Sequence, residues 1–427
     1  MSYDVVVCGA GVGGLASARA LGALGLTVLV LDRQKAPAEV AKGELLQPES
    51  VRILDDWGAL PALRTGGAVP VDRLAIRDPG GRVLLGLDYR ALPGAYREIL
   101  CTGYSNVLHA LAGTLGKTVE VRRGVLVEKA VRDPTGRVTG VRVIDGGRPE
   151  EICARLVVAA DGLSSRLRRS AGLPGVRRDY DHRLLAFDLP GVRVADEVSA
   201  YRAEHGLRLV YPLPGDRCRL YVQIRPEELR GLGADALDAW CDRTLAGVPA
   251  LEPLAEVLRA HLRGRQILAV YRLRAPRLST PGLALVGEAA HAVHPMAAQG
   301  MNSSLGDAET LARLLESAGG GEPAAVDRAL AGYHADRLRR LDHTATVSHN
   351  AARMLTSTAG PARLLGGRMM RHTAANPRLL RLTTGNLAGV DPHRLTPVDR
   401  LYQLGLLRDR RAYVGPEQPT TNGGRTA

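Results

Sequence analysis

Apolar residues occur along this chain in two alternating patterns, short continuous runs and helical spacing. Residues 4–8 form an almost unbroken apolar run, and residues 15–24 then place apolar side chains at helical intervals. Residues 27–31 form the next run, and similar runs cover 156–160 and 284–286. Runs of this length favour buried strands, and helical spacing favours amphipathic helices. The alternation predicts an α/β fold.

A glycine-rich turn separates the first predicted strand from the first predicted helix. Gly9 permits a tight turn, Gly11 lets the backbone approach a pyrophosphate, and Gly14 allows close helix-to-strand packing. Asp32 ends the second strand roughly twenty residues downstream, where a carboxylate can bind ribose hydroxyls. The pattern predicts a dinucleotide without choosing between FAD and NAD. The residues assigned to it are Gly9, Gly11, Val12, Gly13, Gly14, Asp32 and Arg33.

The motif that lies third along the chain is the loop between the strand that ends near Gly287 and a helix that begins near Ser304. Glu288 could accept a hydrogen bond from a polyol hydroxyl, and the amides that open the helix favour a negative charge, such as that of a reduced isoalloxazine. The alternative is an ordinary turn with a buried His291. The residues assigned to the cofactor are Gly287, Glu288, Pro295, Gln299, Gly300, Met301 and Asn302.

The run at 156–160 leads into the motif that lies second along the chain, Asp161-Gly162, followed by Ser165, Arg166 and Arg168, and we assign Asp161 to the cofactor. The carboxylate of Asp161 can orient neighbouring cations, and the arginines can meet phosphate oxygens. The alternative is a turn followed by a solvated basic helix.

In order and spacing, the three motifs resemble those of the class A FAD-dependent monooxygenases, the para-hydroxybenzoate hydroxylase-like and ubiquinone-hydroxylase-like family. The family's third motif is usually G-D-A-A-H, then P, then G-Q-G-x-N; here Glu288 replaces the Asp and Ala298 replaces a Gly. The resemblance implies a Rossmann-like FAD-binding domain, an inserted β-sheet substrate domain and a C-terminal helical layer. Residues 43–48 locally resemble squalene monooxygenases, which epoxidise an alkene.

The same resemblance assigns Lys42, Gln47 and Val127 to FAD as well. Family members commonly carry an arginine before a helix that we expect here near residues 107–115. Tyr104 occupies that position, so either Lys42 or Arg97 would have to supply positive charge near the flavin.

The resemblance and the pattern together divide the chain into four regions. A hairpin across a Pro-Gly-Asp turn is predicted within residues 208–224, one or two helices within 234–262, and long helical periodicity within 325–370. The expected regions are a discontinuous FAD-binding domain at 1–70, 101–175 and 280–315, a substrate-binding sheet at 71–100 and 176–279, a helical region at 316–414, and a disordered tail at 415–427.

For function, the resemblance implies that NAD(P)H reduces FAD and that a flavin C4a-hydroperoxide then transfers oxygen to a lipophilic substrate. Hydroxylation of an aromatic ring and epoxidation of an alkene both remain open, on an isoprenoid or polyketide-type specialised metabolite such as an antibiotic precursor. Pro295 would abut the flavin ring, and His294 would donate a proton, contact substrate or simply pack there. Tyr211 and Tyr221 would contact the substrate. The alternatives are a geranylgeranyl reductase-type double-bond reductase and a non-catalytic flavin-binding protein.

The composition limits the kinds of partner that the chain is expected to bind. The formal charge of +13 could attract nucleic acid, but the chain has a single phenylalanine and no basic tract interleaved with aromatics. No run approaches the length of a membrane span, which favours a cytoplasmic monomer or homodimer with, at most, peripheral membrane association. The five cysteines are scattered without metal-ligand spacing, so we expect packing residues and no metal site.

Overall fold

The computed structural model describes residues 2–37, 40–390 and 392–412, so the predicted tail at 415–427 lies outside the described residues. The strands are β1 Ser2–Cys8, β2 Val28–Asp32, β3 Leu45–Leu46, β4 Val69–Val71, β5 Arg73–Arg77, β6 Val83–Asp88, β7 Ile99–Cys101, β8 Val119–Arg123, β9 Leu126–Arg132, β10 Val138–Asp145, β11 Arg148–Ala159, β12 Val176–Pro190, β13 Val198–Ala203, β14 Gly206–Leu213, β15 Arg217–Ile224, β16 Gln266–Arg274, β17 Ser279–Thr280, β18 Leu283–Leu285 and β19 His291–Ala292. The α-helices are α1 Val12–Gly22, α2 Pro48–Asp56, α3 Leu60–Thr65, α4 Tyr104–Ala112, α5 Arg166–Ser170, α6 Ala234–Ala246, α7 Ala255–Ala260, α8 Gly300–Ser317, α9 Pro323–Thr356, α10 Gly360–Ala374, α11 Pro377–Ala388 and α12 Pro397–Gln403.

The predicted apolar runs form the centre of the first sheet. Its order is β17-β18-β11-β1-β2-β8, and β1 lies parallel to both β11 and β2. The hydrophobic residues of these central strands are almost completely buried, as continuous apolar runs require when both faces of a sheet are covered. Helix α8 packs against α1 beside the sheet. The α/β prediction is confirmed, and the loops after β1, β11 and β18 all lie at one edge of the sheet.

A second sheet with the order β19-β16-β12-β15-β14-β13-β5-β6 stands apart from the first. Most of its pairs are antiparallel, and β5 and β6 extend it beside β13. The predicted hairpin joins β14 and β15. Pro214, Gly215 and Asp216 separate the paired residues Leu213 and Arg217, and Gly215 and Asp216 have positive φ, 77° and 50°, which glycine and aspartate adopt more readily than most residues. A three-stranded sheet, β3-β7-β4, lies next to the segment that leads into α2.

The C-terminal region is helical, but its long periodic stretch is two helices. Helix α9 ends at Thr356 and α10 begins at Gly360, with Pro361 in its first turn. Proline lacks the N–H that a continuing helix would need, and its ring restricts the preceding residue, so the chain turns there. No helix within the described ranges is both long and apolar enough to cross a bilayer.

Candidate functional site

The three sequence motifs meet in space at one edge of the first sheet. Gly9, with φ of +110°, lies so close to the loop after β11 that a Cβ there would sit 2.2 Å from the carbonyl oxygen of Ala160. Gly13 packs against Val286 and Gly287, at the end of β18. The strands thus bring the glycine turn, the second motif and the third motif into contact, at the edge where ligands of α/β sheets bind.

Asp32 fixes the glycine turn from the neighbouring strand. One oxygen of its carboxylate accepts a hydrogen bond from the amide of Ala10 at 2.7 Å, and the other accepts one from the amide of Gln34 at 2.7 Å. Each carboxylate oxygen has a second lone pair that can take a ribose hydroxyl. Arg33 is exposed beside it. The role of Asp32 toward the adenosine half of FAD stays a prediction.

Two helix N-termini in this region are not capped by the residue that precedes the helix. Helix α1 begins after Gly11, which has no side chain, and α8 begins after Gln299, whose side chain accepts no hydrogen bond from the first turn. The first amides of a helix have no partner inside the helix and carry a partial positive charge. The α1 end therefore suits a diphosphate, and the α8 end suits an anionic flavin ring. The residues present fit FAD.

Lys42 supplies the cation in this region. Its Nζ lies 3.2 Å from both carboxylate oxygens of Glu288 and 5.9 Å from the centre of the Tyr104 ring. Arg97, the other candidate, is exposed and donates to the carbonyl oxygen of Gly94. Burial opposes the charged form of Lys42, but Glu288 and the nearby tyrosine hydroxyls outweigh it and raise its pKa. Lys42 therefore stays protonated, and its positive charge lies beside Glu288, the residue proposed to contact the ribityl chain.

Tyr104 stands where family members commonly carry arginine, and it is the first residue of α4, which begins earlier than the sequence indicates. Its hydroxyl lies 3.3 Å from the position of a Cβ on Gly11 and receives a hydrogen bond from the amide of Val12. The phenol thus lies at the N-terminus of α1, where a diphosphate would bind.

Replacing Tyr104 by arginine is expected to tighten FAD binding about tenfold or more. An arginine there would exchange a neutral hydroxyl for a charge-assisted contact with phosphate, and such contacts contribute roughly 1.5–3 kcal/mol. The dissociation constant is measured by quenching of flavin fluorescence. Tyr104→Phe is the control, since it removes the hydroxyl without adding charge. Equal affinities for the Arg and Phe variants would contradict the assignment.

The second motif, which begins at Asp161, makes several hydrogen bonds within the protein. Asp161 accepts hydrogen bonds from the hydroxyl of Ser165 and from the amides of Arg166 and Leu167, which caps the short helix α5. Arg168 is buried and donates to the carbonyl oxygens of Ala289 and Leu163. The expectation that this arginine meets phosphate is therefore wrong. Arg168 joins the second motif to the third because its guanidinium satisfies carbonyl groups in both loops.

A buried ionic cluster fixes the third motif. Asp307, fully buried on α8, lies 2.7 Å from His291 Nε2 and accepts hydrogen bonds from Arg337 Nε at 2.7 Å and from the amide of Gly287 at 2.9 Å. Burial favours the neutral acid, but His291 and Arg337 outweigh it and lower the pKa of Asp307. His291 holds the loop through this contact with Asp307. Arg337 comes from α9, and nothing in the motif points to it.

His294 packs into the protein and uses both ring nitrogens there. It is 1 % exposed; its Nδ1 accepts from the amide of Met296 at 3.2 Å, and its Nε2 lies 3.0 Å from His182 Nε2. Because Nδ1 accepts, Nε2 carries the proton and donates to His182. The imidazole holds the loop that begins at Pro295, so the geometry favours a positioning role over substrate contact.

Neutral His294 makes the stability of the fold depend on pH. Burial and then the neighbouring His182 and His349 lower the pKa of His294 from 6.5 to about 3. The unfolded chain therefore binds this proton more readily between those values, so the contribution is present above pH 6.5 and is lost as the pH falls. At about pH 5 the loss is about 2 kcal/mol of unfolding free energy.

Denaturant unfolding of wild type and His294→Asn at about pH 5 and about pH 7.5 checks this expectation. The difference between the two pH values should be about 2 kcal/mol smaller in the variant. The change with pH is compared within each protein, so a general loss of stability in the variant cancels. An identical pH dependence in the two proteins would assign the effect to other groups.

An apolar cavity lies between the third motif and the second sheet. Its free volume is about 30 Å³, and the wider space between its walls, which includes open solvent, is about 440 Å³. Ala298, which replaces the family's glycine, lies in its wall with φ of 50°, a left-handed conformation that costs a non-glycine residue roughly 1–2 kcal/mol. The lining residues are Leu45, Gln47, Leu74, Val198, Ala200, Leu209, Pro295, Met296, Ala297, Ala298, Leu355 and Leu387.

The two tyrosines predicted to contact substrate instead hold residues 41–47 in place, a segment next to the proposed cofactor site. The hydroxyl of Tyr211 donates to Glu44 at 2.8 Å, and that of Tyr221 donates to the carbonyl oxygen of Ala41 at 3.0 Å. Neither belongs to the set of described residues that line the cavity. The structure thus gives both hydroxyls a partner inside the protein.

Val127, which the resemblance assigns to FAD, is buried in strand β9 of the first sheet.

A buried ion pair that the sequence analysis did not predict also fixes residues 41–47. Arg219 donates to both carboxylate oxygens of Glu44, at 2.9 and 2.7 Å, and both side chains are almost fully buried. At the other end of the segment, the amide of Gln47 donates to Asn302 Oδ1 at 3.0 Å. The segment therefore bridges the second sheet and the N-terminus of α8.

Comparison with known proteins agrees with this geometry. The model of the FAD binding domain family matches residues 2–348. The chain is 30% identical over 425 residues to a ubiquinone hydroxylase of Rhodospirillum rubrum, covering 92% of each chain. It is 29% identical over 313 residues to the 6-methylpretetramide 4-monooxygenase of Streptomyces rimosus, covering 71% of this chain and 73% of the relative.

Among solved structures, that of P. aeruginosa PqsL in complex with 2-aminobenzoylacetate superposes with a TM-score of 0.74 at 27% identity, over 83% of this chain and 97% of PqsL. The resemblance of residues 43–48 to squalene monooxygenases stays a prediction. The matched family model, the relatives and the converging flavin motifs agree: the chain belongs to the class A FAD-dependent monooxygenases and is an FAD-dependent enzyme of that family.

Proposed function

We propose that this enzyme uses NAD(P)H and dioxygen to hydroxylate an aromatic ring or to epoxidise an alkene of a lipophilic specialised metabolite, of isoprenoid or polyketide type. The observation that carries the proposal is that the three flavin motifs converge beside an apolar cavity, whose wall includes Pro295 and Ala298 just before the N-terminus of α8. FAD, when bound, accepts electrons from NAD(P)H and activates dioxygen for transfer of one oxygen atom to carbon.

The chain's own residues have three tasks in this reaction. The uncapped amides at Gly300 and Met301 favour negative charge on the flavin ring. Lys42 and Glu288 orient the polar chain of the cofactor through charge and hydrogen bonds. The leucine-rich cavity keeps water away from the reacting carbon, which protects a reactive oxygen species from loss.

An assay of purified enzyme with FAD, NAD(P)H and a panel of phenolic and isoprenoid compounds tests the proposal. Consumption of NAD(P)H should rise with the right compound, and its product should gain one oxygen atom that comes from isotopically labelled dioxygen. A product that gains hydrogen instead would identify a double-bond reductase. Bound FAD without turnover on any compound would indicate a non-catalytic flavin-binding protein. Either result would reject the monooxygenase reaction proposed here.

A further inference from the structure

One polar side chain faces the apolar cavity. Of the twelve residues that line it, eleven are aliphatic, proline or methionine residues, and the twelfth is Gln47. Gln47 is 2 % exposed, so its amide cannot rely on bulk water for hydrogen bonds. A buried primary amide has two N–H donors on Nε2 and an acceptor on Oε1, and each needs a partner.

The acceptor side of this amide is already engaged. The hydroxyl of Tyr89 donates to Gln47 Oε1 at 3.1 Å, and Tyr89 is fully buried. Burial raises the pKa of Tyr89, so the phenol keeps its proton and acts as the donor. Because the phenol proton needs an acceptor, Oε1 turns toward Tyr89 and Nε2 turns away from it. Tyr89 is thus a positioning residue for the amide.

The donor side has no partner within the protein. Over residues 2–37, 40–390 and 392–412, the hydrogen bonds of Gln47 engage its backbone amide and carbonyl and its Oε1, and none engages Nε2. Because Gln47 lines the cavity and its Nε2 has no partner there, a ligand in the cavity that carries an acceptor can take this hydrogen bond.

We propose that Gln47 Nε2 donates a hydrogen bond to an uncharged oxygen of the substrate, a ketone or phenol oxygen on an otherwise apolar skeleton. The assignment of the ligand as substrate rests on the proposed function. The same wall disfavours a carboxylate, because none of the lining residues is a cation and an anion in an apolar cavity is costly. The site therefore selects lipophilic compounds that carry a neutral oxygen near one end, and Gln47 sets that preference.

The test compares two variants that differ only in this donor. Tyr89→Phe retains the Gln47 amide, and Gln47→Leu/Tyr89→Phe lacks it, so both lack the buried phenol and neither leaves that hydroxyl unpaired. The probes are α-tetralone and tetralin, which share a carbon skeleton and differ in one ketone oxygen. Dissociation constants are measured by calorimetry on FAD-loaded protein, with flavin absorbance confirming that both variants retain the cofactor.

The preference for α-tetralone over tetralin should be about tenfold greater in Tyr89→Phe than in the double variant, the scale of one hydrogen bond. An unchanged ratio, or no binding of either probe to wild type and variants, would overturn the proposal. The experiment measures binding and needs no turnover, so its outcome does not depend on the outcome of the test of the proposed function. A changed ratio without oxygen transfer would reject the reaction and keep the binding site, and oxygen transfer with an unchanged ratio would do the reverse.

Discussion

Replacing Glu44 by leucine should lower the unfolding free energy by about 3–5 kcal/mol. The substitution leaves the guanidinium of Arg219 buried without the carboxylate to which its Nε and Nη2 donate, and it removes the acceptor of the Tyr211 hydroxyl. Within the part of the chain that the structure describes, the acidic contact left to Arg219 is Asp188, at 3.4 Å. Denaturant unfolding at neutral pH measures the loss.

The matched control for this prediction removes the whole polar cluster. A triple variant, Glu44→Leu/Arg219→Met/Tyr211→Phe, has apolar groups of similar size and no unpaired charge, and such replacements are often neutral. It should recover most of the lost stability. If the triple variant is as unstable as Glu44→Leu alone, the loss comes from packing around residue 44 and the account of a buried charge is wrong.

The second large effect is expected from Gly14→Ala. A Cβ at this position would lie 1.8 Å from the carbonyl oxygen of Gly9, so helix α1 and the glycine turn would have to move apart. That displacement moves the amides at the N-terminus of α1 away from the proposed position of the diphosphate. Because a shift of about 1 Å can cost on the order of 100-fold in rate, we expect little FAD to co-purify and activity to fall by at least that factor.

Gly247→Ala is the matched control for the glycine variant. Gly247 ends α6 with φ of −76°, and a Cβ there would meet no atom within 4 Å. This variant should purify with as much FAD as wild type, as judged by the ratio of flavin to protein absorbance. If Gly14→Ala also retains wild-type FAD content, the turn is not the diphosphate site.

The sequence was sufficient to predict the frame of the site because the information is local. A strand, a glycine turn and a helix follow one another within a few residues, and the positions of Asp32 and of the loop after Gly287 follow from where their strands end. The hairpin between β14 and β15 was predictable for the same reason, since Gly215 and Asp216 specify its turn. Motif spacing then identified the family.

The partners of these motifs were not predictable, because they depend on which distant side chains meet. Arg337 reaches Asp307 from 30 residues away, and Arg219 reaches Glu44 from 175 residues away. The direction of a side chain is equally hidden: Tyr211 lies in the expected strand, but its hydroxyl points to Glu44. Arg168 fits a phosphate-binding pattern, but its burial directs it to carbonyl groups.

A titration of the purified, flavin-free chain with FAD, followed by visible absorbance and flavin fluorescence, tests the central claim most directly. The account predicts saturable binding with quenched fluorescence, lost in Gly14→Ala and retained in Gly247→Ala. A wild-type chain that stays colourless and leaves the fluorescence of added FAD unchanged would contradict the claim that the three converging loops hold this cofactor.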